Sequence, residues 1–230
     1  EKTIGEFALE NGYQTFFAGK WHLGEEEEYW PQYQGFQTNI GGWSKGSPTG
    51  RINDSTGGFF TPYKNPTLPD GPAGEYLTDR LTNESLAFIE RNQQKPFFLM
   101  YSMYAVHNPL QAPAALIKKY QAKQKQLGIT NNKRFAKDEP WMKHEDGWKR
   151  RLVQDQPVYA AMVENMDWNI GRILDKLKQL NLDENTLVIF TSDNGGLSTA
   201  EGSPTVNGPL RAGKGWLYEG GIRVPLIMYW

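Results

Sequence analysis

Residues 12–24 read GYQTFFAGKWHLG. A short apolar run over 13–18 meets glycine. Lys20 and His22 then arrive two positions apart with Trp21 between them, and the acidic stretch EEEEYW follows Gly24. The pattern predicts a strand over 13–18 whose carboxyl end carries a cation beside a titratable ring. Just upstream, residues 3–11 (TIGEFALEN) predict a helix with Ile4, Phe7 and Ala8 on one face and Gly12 as its C-terminal stop.

Working outward, residues 76–92 repeat Leu77, Leu81, Phe88 and Ile89 at helical spacing. PFFLMYSMYAVH holds a continuous apolar run from Phe97 to Met103, which suits a strand buried on both faces, as in a parallel sheet. The clearest helix covers 157–180, where Tyr159, Met162, Val163, Met166, Ile170, Ile173, Leu174 and Leu177 make a stripe. TLVIFTSDNGG predicts another buried strand, and a last strand begins near Ile222. Residues 31–74 read as ordered surface loops, and 116–151 as an exposed helix plus a polar, basic insertion. Strands separated by helices predict an α/β fold with a mostly parallel central sheet flanked by helices.

The bulk composition narrows the function. Lys+Arg is 25 and Asp+Glu is 26, a net charge of -1, which argues against a nucleic-acid binder driven by phosphate neutralisation. No apolar run approaches the length of a membrane span. Cysteine is absent, so the chain holds no disulfide, no thiolate metal site and no Cys nucleophile. It begins without Met, shows no signal-peptide pattern and ends on the apolar run IRVPLIMYW. The expectation is one domain, residues 1–230, cut at both ends.

In parallel α/β folds, ligands bind beyond the carboxyl ends of strands. Three predicted strands end in reactive chemistry: Lys20 with His22, His107, and Asp193 with Asn194. His22 and His107 can exchange a proton near neutral pH, whereas His144 in the charged insertion reads as a surface residue. Asp193 and Asn194 offer hard oxygen donors, suited to Ca²⁺ or Mg²⁺ more than Zn²⁺, although SDNGG is equally good turn sequence. Lys20 and Lys214 lie in glycine-flanked loops, AGKWHLG and RAGKGW. There the backbone can approach an anion, or the lysines are simply solvated. Two lysines, two histidines and a hard metal describe a site for a compact oxyanion, stabilising charge on a transferred sulfuryl or phosphoryl group. The residues alone supply no nucleophile.

These motifs resemble the type I, formylglycine-dependent sulfatases of the alkaline phosphatase superfamily. GYQTFFAGKWHLG is similar to that family's second signature, G-Y-x-T-x-x-x-G-K-W-H-L-G. AVHNPLQAP resembles its H-x-P segment, YAAMVENMDWNIGRIL the helix before the metal strand, and TLVIFTSDNGG the metal-binding strand end. GPLRAGKGWLYEGGIRVP resembles the block that follows. The resemblance implies an alkaline-phosphatase-like fold and a sulfuric ester hydrolase. Lys20 would bridge sulfate and nucleophile. His22 would hydrogen-bond the formylglycine hydrate and help collapse the sulfated hemiacetal. His107 would contact sulfate and protonate the leaving alcohol. Lys214 would hold a sulfate oxygen and share that acid role, and Asp193 and Asn194 would ligate Ca²⁺ rather than Mg²⁺.

The resemblance also places the nucleophile, in C/S-x-P-S-R, upstream of GKWHLG. Ser47-Pro48-Thr49-Gly50-Arg51 lies downstream with its Pro and Arg misplaced, so it is rejected for that role. The family's N-terminal Asp metal ligands and its C-terminal subdomain have no counterpart here. Likeness to bacterial carbohydrate sulfatases implies a sulfated saccharide substrate and a periplasmic or secreted location. The rivals are a phosphate or phosphonate ester hydrolase of the same superfamily and an inactive module that binds sulfated glycans. Trp30, Tyr33, Phe36, Trp43, Phe59, Phe60, Tyr63, Trp141 and Trp148 either stack on sugar rings or pack their own loops.

Overall fold

The structure, a computed structural model, describes residues 1–48, 57–129, 133–136 and 149–230. In chain order its elements are α1 (Ile4–Glu10), β1 (Gln14–Gly19), β2 (Thr38–Ile40), α2 (Leu77–Arg91), β3 (Phe97–Ser102), α3 (Ala114–Gln126), β4 (Phe135–Ala136), β5 (Arg150–Arg151), α4 (Pro157–Gln179), β6 (Val188–Thr191), α5 (Glu219–Ile222) and β7 (Leu226–Tyr229). They fall into two compact units. The first holds Glu1–Pro113 and Met162–Glu184, the second Ala114–Ala161 and Asn185–Trp230.

In the first unit a parallel three-stranded sheet runs in the order β2-β1-β3, with Phe16 beside Thr38 and Gly19 beside Ser102. The stretch at 13–18 therefore becomes the central strand, and Thr15 to Gly19 are all buried. Successive side chains point to opposite faces. Phe16 stacks on Phe88 of α2 at 4.6 Å, while Phe17 meets Trp21 edge-on at 5.1 Å and Phe36 at 5.4 Å. Both faces are covered, which is why the strand carries consecutive apolar residues from Phe16 to Ala18. Burying each such ring contributes about 2–3 kcal/mol. Leu77, Leu81, Phe88 and Ile89 form the buried face of α2, as the helical spacing predicts.

Several expectations change. Helix α1 lies within the expected 3–11 stretch, and Thr3 caps it, its hydroxyl accepting from the Glu6 amide at 3.1 Å while its own amide donates to the Glu6 carboxylate at 2.7 Å. The packed face, however, is Gly5 and Ala8, and Ile4 and Phe7 are 64% and 60% exposed. A Cβ at Gly5 would stand 2.9 Å from the Phe36 ring, so the helix approaches too closely for large side chains. Strand β3 is an edge strand with half-buried side chains and an exposed Met100, not one buried on both faces. Strand β2 lies inside the expected loop region. Its three residues are too few to show a periodic pattern, and its partner β1 supplies the order.

In α4 the buried stripe includes Asn165 and Asn169, while Val163 and Leu174 are exposed. Both asparagine side chains donate to Asp79 Oδ1 at the start of α2, at 2.9 and 2.7 Å, forming a polar cluster no apolar count would find. Of the loop aromatics, Trp30, Phe36, Phe59 and Tyr63 are buried, so they pack their loops; Tyr33 is exposed. Trp141, Trp148 and His144 lie outside the described residues.

In the second unit, β6 pairs antiparallel with β7, and short β4 pairs antiparallel with β5. Strand β6 is not buried: its side chains alternate between half-buried and exposed, and every residue of β7 is exposed. The last strand begins at Leu226, because residues 219–222 form the short helix α5. Helix α3 carries no buried residue, as its composition predicts.

Candidate active site

Lys20 and His22 follow directly on β1. The Lys20 amide donates to the Ser102 carbonyl at the end of β3 at 2.7 Å, extending the sheet by one bond. Gly19 permits this, with φ +106° and a hypothetical Cβ that would lie 2.8 Å from the Ser102 carbonyl carbon. Trp21 turns back into the core against Phe17 and Phe36, and its indole N–H donates to Tyr29 O at 2.7 Å. The tryptophan anchors the segment, and the lysine and histidine on either side are not part of that core. His22 is exposed, and its amide donates to Trp43 O at 3.1 Å.

His107 lies five residues past β3, in a turn closed by its amide donating to Tyr104 O at 2.9 Å. Its Nδ1 sits 2.9 Å from the Asn108 carbonyl. A carbonyl only accepts, so Nδ1 carries the proton and Nε2 is the nitrogen that takes up or gives one. Because β1 and β3 are parallel neighbours, Lys20 and His22 directly after β1 and His107 five residues after β3 follow the carboxyl ends of adjacent strands. Nearby in this unit, burial holds the Tyr104 hydroxyl well above the ordinary phenol range, and it donates to Gly41 O at 2.8 Å.

Asp193, Asn194 and Lys214 belong to the second unit. Asp193 and Asn194 follow β6, and the Lys214 amide donates to Gly196 O at 3.1 Å, so the lysine loop is tied to the loop that carries Asp193 and Asn194. Asn207 is the staple. Its side-chain N–H groups reach Gly196 O at 2.7 Å, Ala212 O at 3.0 Å and Gly220 O at 3.3 Å. Sequence reasoning passed over this residue, since an asparagine in a loop carries no local signal of contacts made elsewhere. The glycines did carry one. DNGG, AGKG and EGG are rich in glycine because three backbone segments pack directly on one another: a Cβ at Gly195 would meet the Gly220 carbonyl, and one at Gly213 the Gly196 carbonyl.

The Asn194 Nδ2 donates to Gly195 O at 2.9 Å, which leaves Oδ1 as the oxygen this side chain can offer. With the exposed Asp193 carboxylate the pair suits a hard cation in kind, but supplies only part of the 6–8 oxygens Ca²⁺ takes. Among the described residues no group of three or more His, Cys, Asp or Glu could hold a metal. The same unit contains a cleft of about 340 Å³ lined in part by Arg150, Arg151 and Arg211. Arg151 is buried against Asp155, whereas the Arg211 guanidinium stacks 4.0 Å over the Tyr218 ring. No described helix is long and apolar enough to cross a membrane.

Known proteins resemble this chain along its whole length. The family model named Sulfatase matches residues 1–230. N-acetylgalactosamine-6-sulfatase of Canis lupus familiaris is 31% identical over 254 residues, covering all of this chain and 40% of that protein. Arylsulfatase of Klebsiella aerogenes is 30% identical over 222 residues, covering 84% of this chain and 47% of that one. Among solved structures, Ps i-CgsB superposes with a TM-score of 0.70 at 28% identity, over all of this chain and 47% of its own. PsFucS1 sulfatase from Pseudoalteromonas sp. superposes with a TM-score of 0.64 at 26% identity, over all of this chain and 45% of its own. The chain thus spans less than half the length of these relatives, yet the match runs through it from first residue to last: it belongs to the sulfatase family.

Proposed function

We propose that the whole protein containing this chain hydrolyses sulfate esters of a saccharide. The observation that supports the reading is the parallel pairing of β1 and β3, whose carboxyl ends are followed by Lys20 and His22 and, five residues on, by His107. A lysine ammonium there neutralises a sulfate oxygen, and an imidazolium whose Nδ1–H is held by a carbonyl passes its Nε2 proton to a leaving alcohol. Lys214 is assigned a second sulfate oxygen. Asp193 and Asn194 are assigned to Ca²⁺, which when bound would offset negative charge on the sulfate. The nucleophile is assigned to a formylglycine outside these 230 residues, so this piece alone should show no turnover.

The saccharide half of the reading draws on the relatives. N-acetylgalactosamine-6-sulfatase is named for a sugar sulfate, and Ps i-CgsB has been solved in complex with k-i-k-neocarrahexaose. A secreted or periplasmic location is part of the same proposal.

The test is turnover of 4-nitrophenyl sulfate and of a panel of sulfated oligosaccharides by the full-length protein. Lys20→Ala and His107→Ala should each lower kcat/KM by roughly 10²–10³-fold, and chelation should lower it reversibly with Ca²⁺. Faster turnover of 4-nitrophenyl phosphate than of any sulfate would favour the phosphoryl rival. Saccharide binding without turnover would favour the inactive module.

A further inference from the structure

His22 is held from two sides by the loop that follows β2. Its backbone has φ +59°, in the left-handed region that a non-glycine residue keeps only when its surroundings hold it there. The hold at the backbone is the bond from its amide to Trp43 O. The hold at the ring is Gly46, three residues further on. A Cβ at position 46 would stand 2.5 Å from Cε1 and 2.8 Å from Cγ of His22, and nearer still to Nδ1. Those three atoms are the nearest it would meet.

Gly46 is not among the glycines with positive φ, so its backbone does not require glycine. The imidazole does. We propose that Gly46 is a positioning residue for His22: its bare Cα forms the wall that receives the Nδ1–Cε1 edge of the ring, which turns Nε2 towards the reacting group. The role in turnover rests on the sulfatase reading above; the placement of the ring does not. Any side chain at 46 displaces the imidazole, and because the displaced atoms are the end of a side chain, the fold need not give way.

The experiment uses the full-length protein with Gly46→Ala, His22→Ala and the double variant. In ¹H–¹³C spectra the His22 Cε1–Hε1 signal, assigned by its loss in His22→Ala, should shift in Gly46→Ala while that of His107 stays. With 4-nitrophenyl sulfate, kcat should fall roughly 10²-fold, the loss expected of a group misplaced by about 1 Å, with KM little changed. In the His22→Ala background Gly46→Ala should cost nothing further, since residues acting as one unit are not additive. Should Gly46→Ala alone fail to fold, His22→Ala must restore folding by removing the clash. An unmoved His22 signal, or an equal loss with and without the ring, overturns the proposal. Absence of turnover in the wild type would count against the sulfatase reading alone, and the spectrum would still decide the placement.

Discussion

Replacing Gly19 by alanine tests how the sheet positions the Lys20–His22 segment. Two effects add. The residue sits at φ +106°, where an L side chain is strained by about 1–3 kcal/mol. The new Cβ would also press on the Ser102 carbonyl, which accepts the Lys20 amide at 2.7 Å. Gly19 is buried, so parting that donor and acceptor leaves desolvated groups unpaired at about 1–3 kcal/mol. Together the substitution should lower the free energy of unfolding by about 2–6 kcal/mol, read by urea denaturation. Gly12→Ala is the control: Gly12 has φ +80° but nothing within 4 Å of a Cβ, so it isolates the backbone strain from the clash. If Gly19→Ala and Gly12→Ala differ by less than about 0.5 kcal/mol, the argument from the Ser102 contact is wrong.

Asn169→Leu should lower stability by about 2–3 kcal/mol in the same assay, because the buried amide is one of two donors to Asp79 Oδ1, at 2.7 Å. The Glu6 carboxyl is held below its ordinary 4.5, first by the Thr3 backbone N–H and then by the Thr3 hydroxyl. A lowered folded pKa stabilises above the unfolded value and ceases to do so as pH falls through the folded one. The stability difference between wild type and Glu6→Gln should therefore shrink on acidification from neutral pH to well below 4.5. At the alkaline end, burial raises the hydroxyls of Tyr63, Tyr76, Tyr101 and Tyr104 above the ordinary 10. Their unfolded counterparts ionise first, so this contribution is intact below pH 10 and declines above it. Ultraviolet titration of the folded protein at about pH 11 should leave these four of the chain's 11 tyrosines protonated.

The sequence by itself determined whatever depends on neighbours along the chain. The helices α2 and α4 follow from apolar spacing, and α1 lies within the 3–11 stretch that predicts a helix. The central strand shows in an apolar run that ends in glycine, and the candidate site shows as reactive residues at strand ends. GYQTFFAGKWHLG carries both signals at once, because the sheet edge that ends the strand is also where ligand chemistry is placed.

Only the tertiary structure decided what depends on partners far away in the chain. It put Gly5 and Ala8 of α1 inward, made β3 an edge, drew residues 38–40 into the sheet and left β6 partly exposed. It also set Gly46 against the ring of His22 and made Asn207 the staple of the lysine loop. Periodicity reports the side-chain pattern within one element. It does not report which neighbour comes close enough to exclude a Cβ, and that distance fixes which face packs and where the His22 ring can stand.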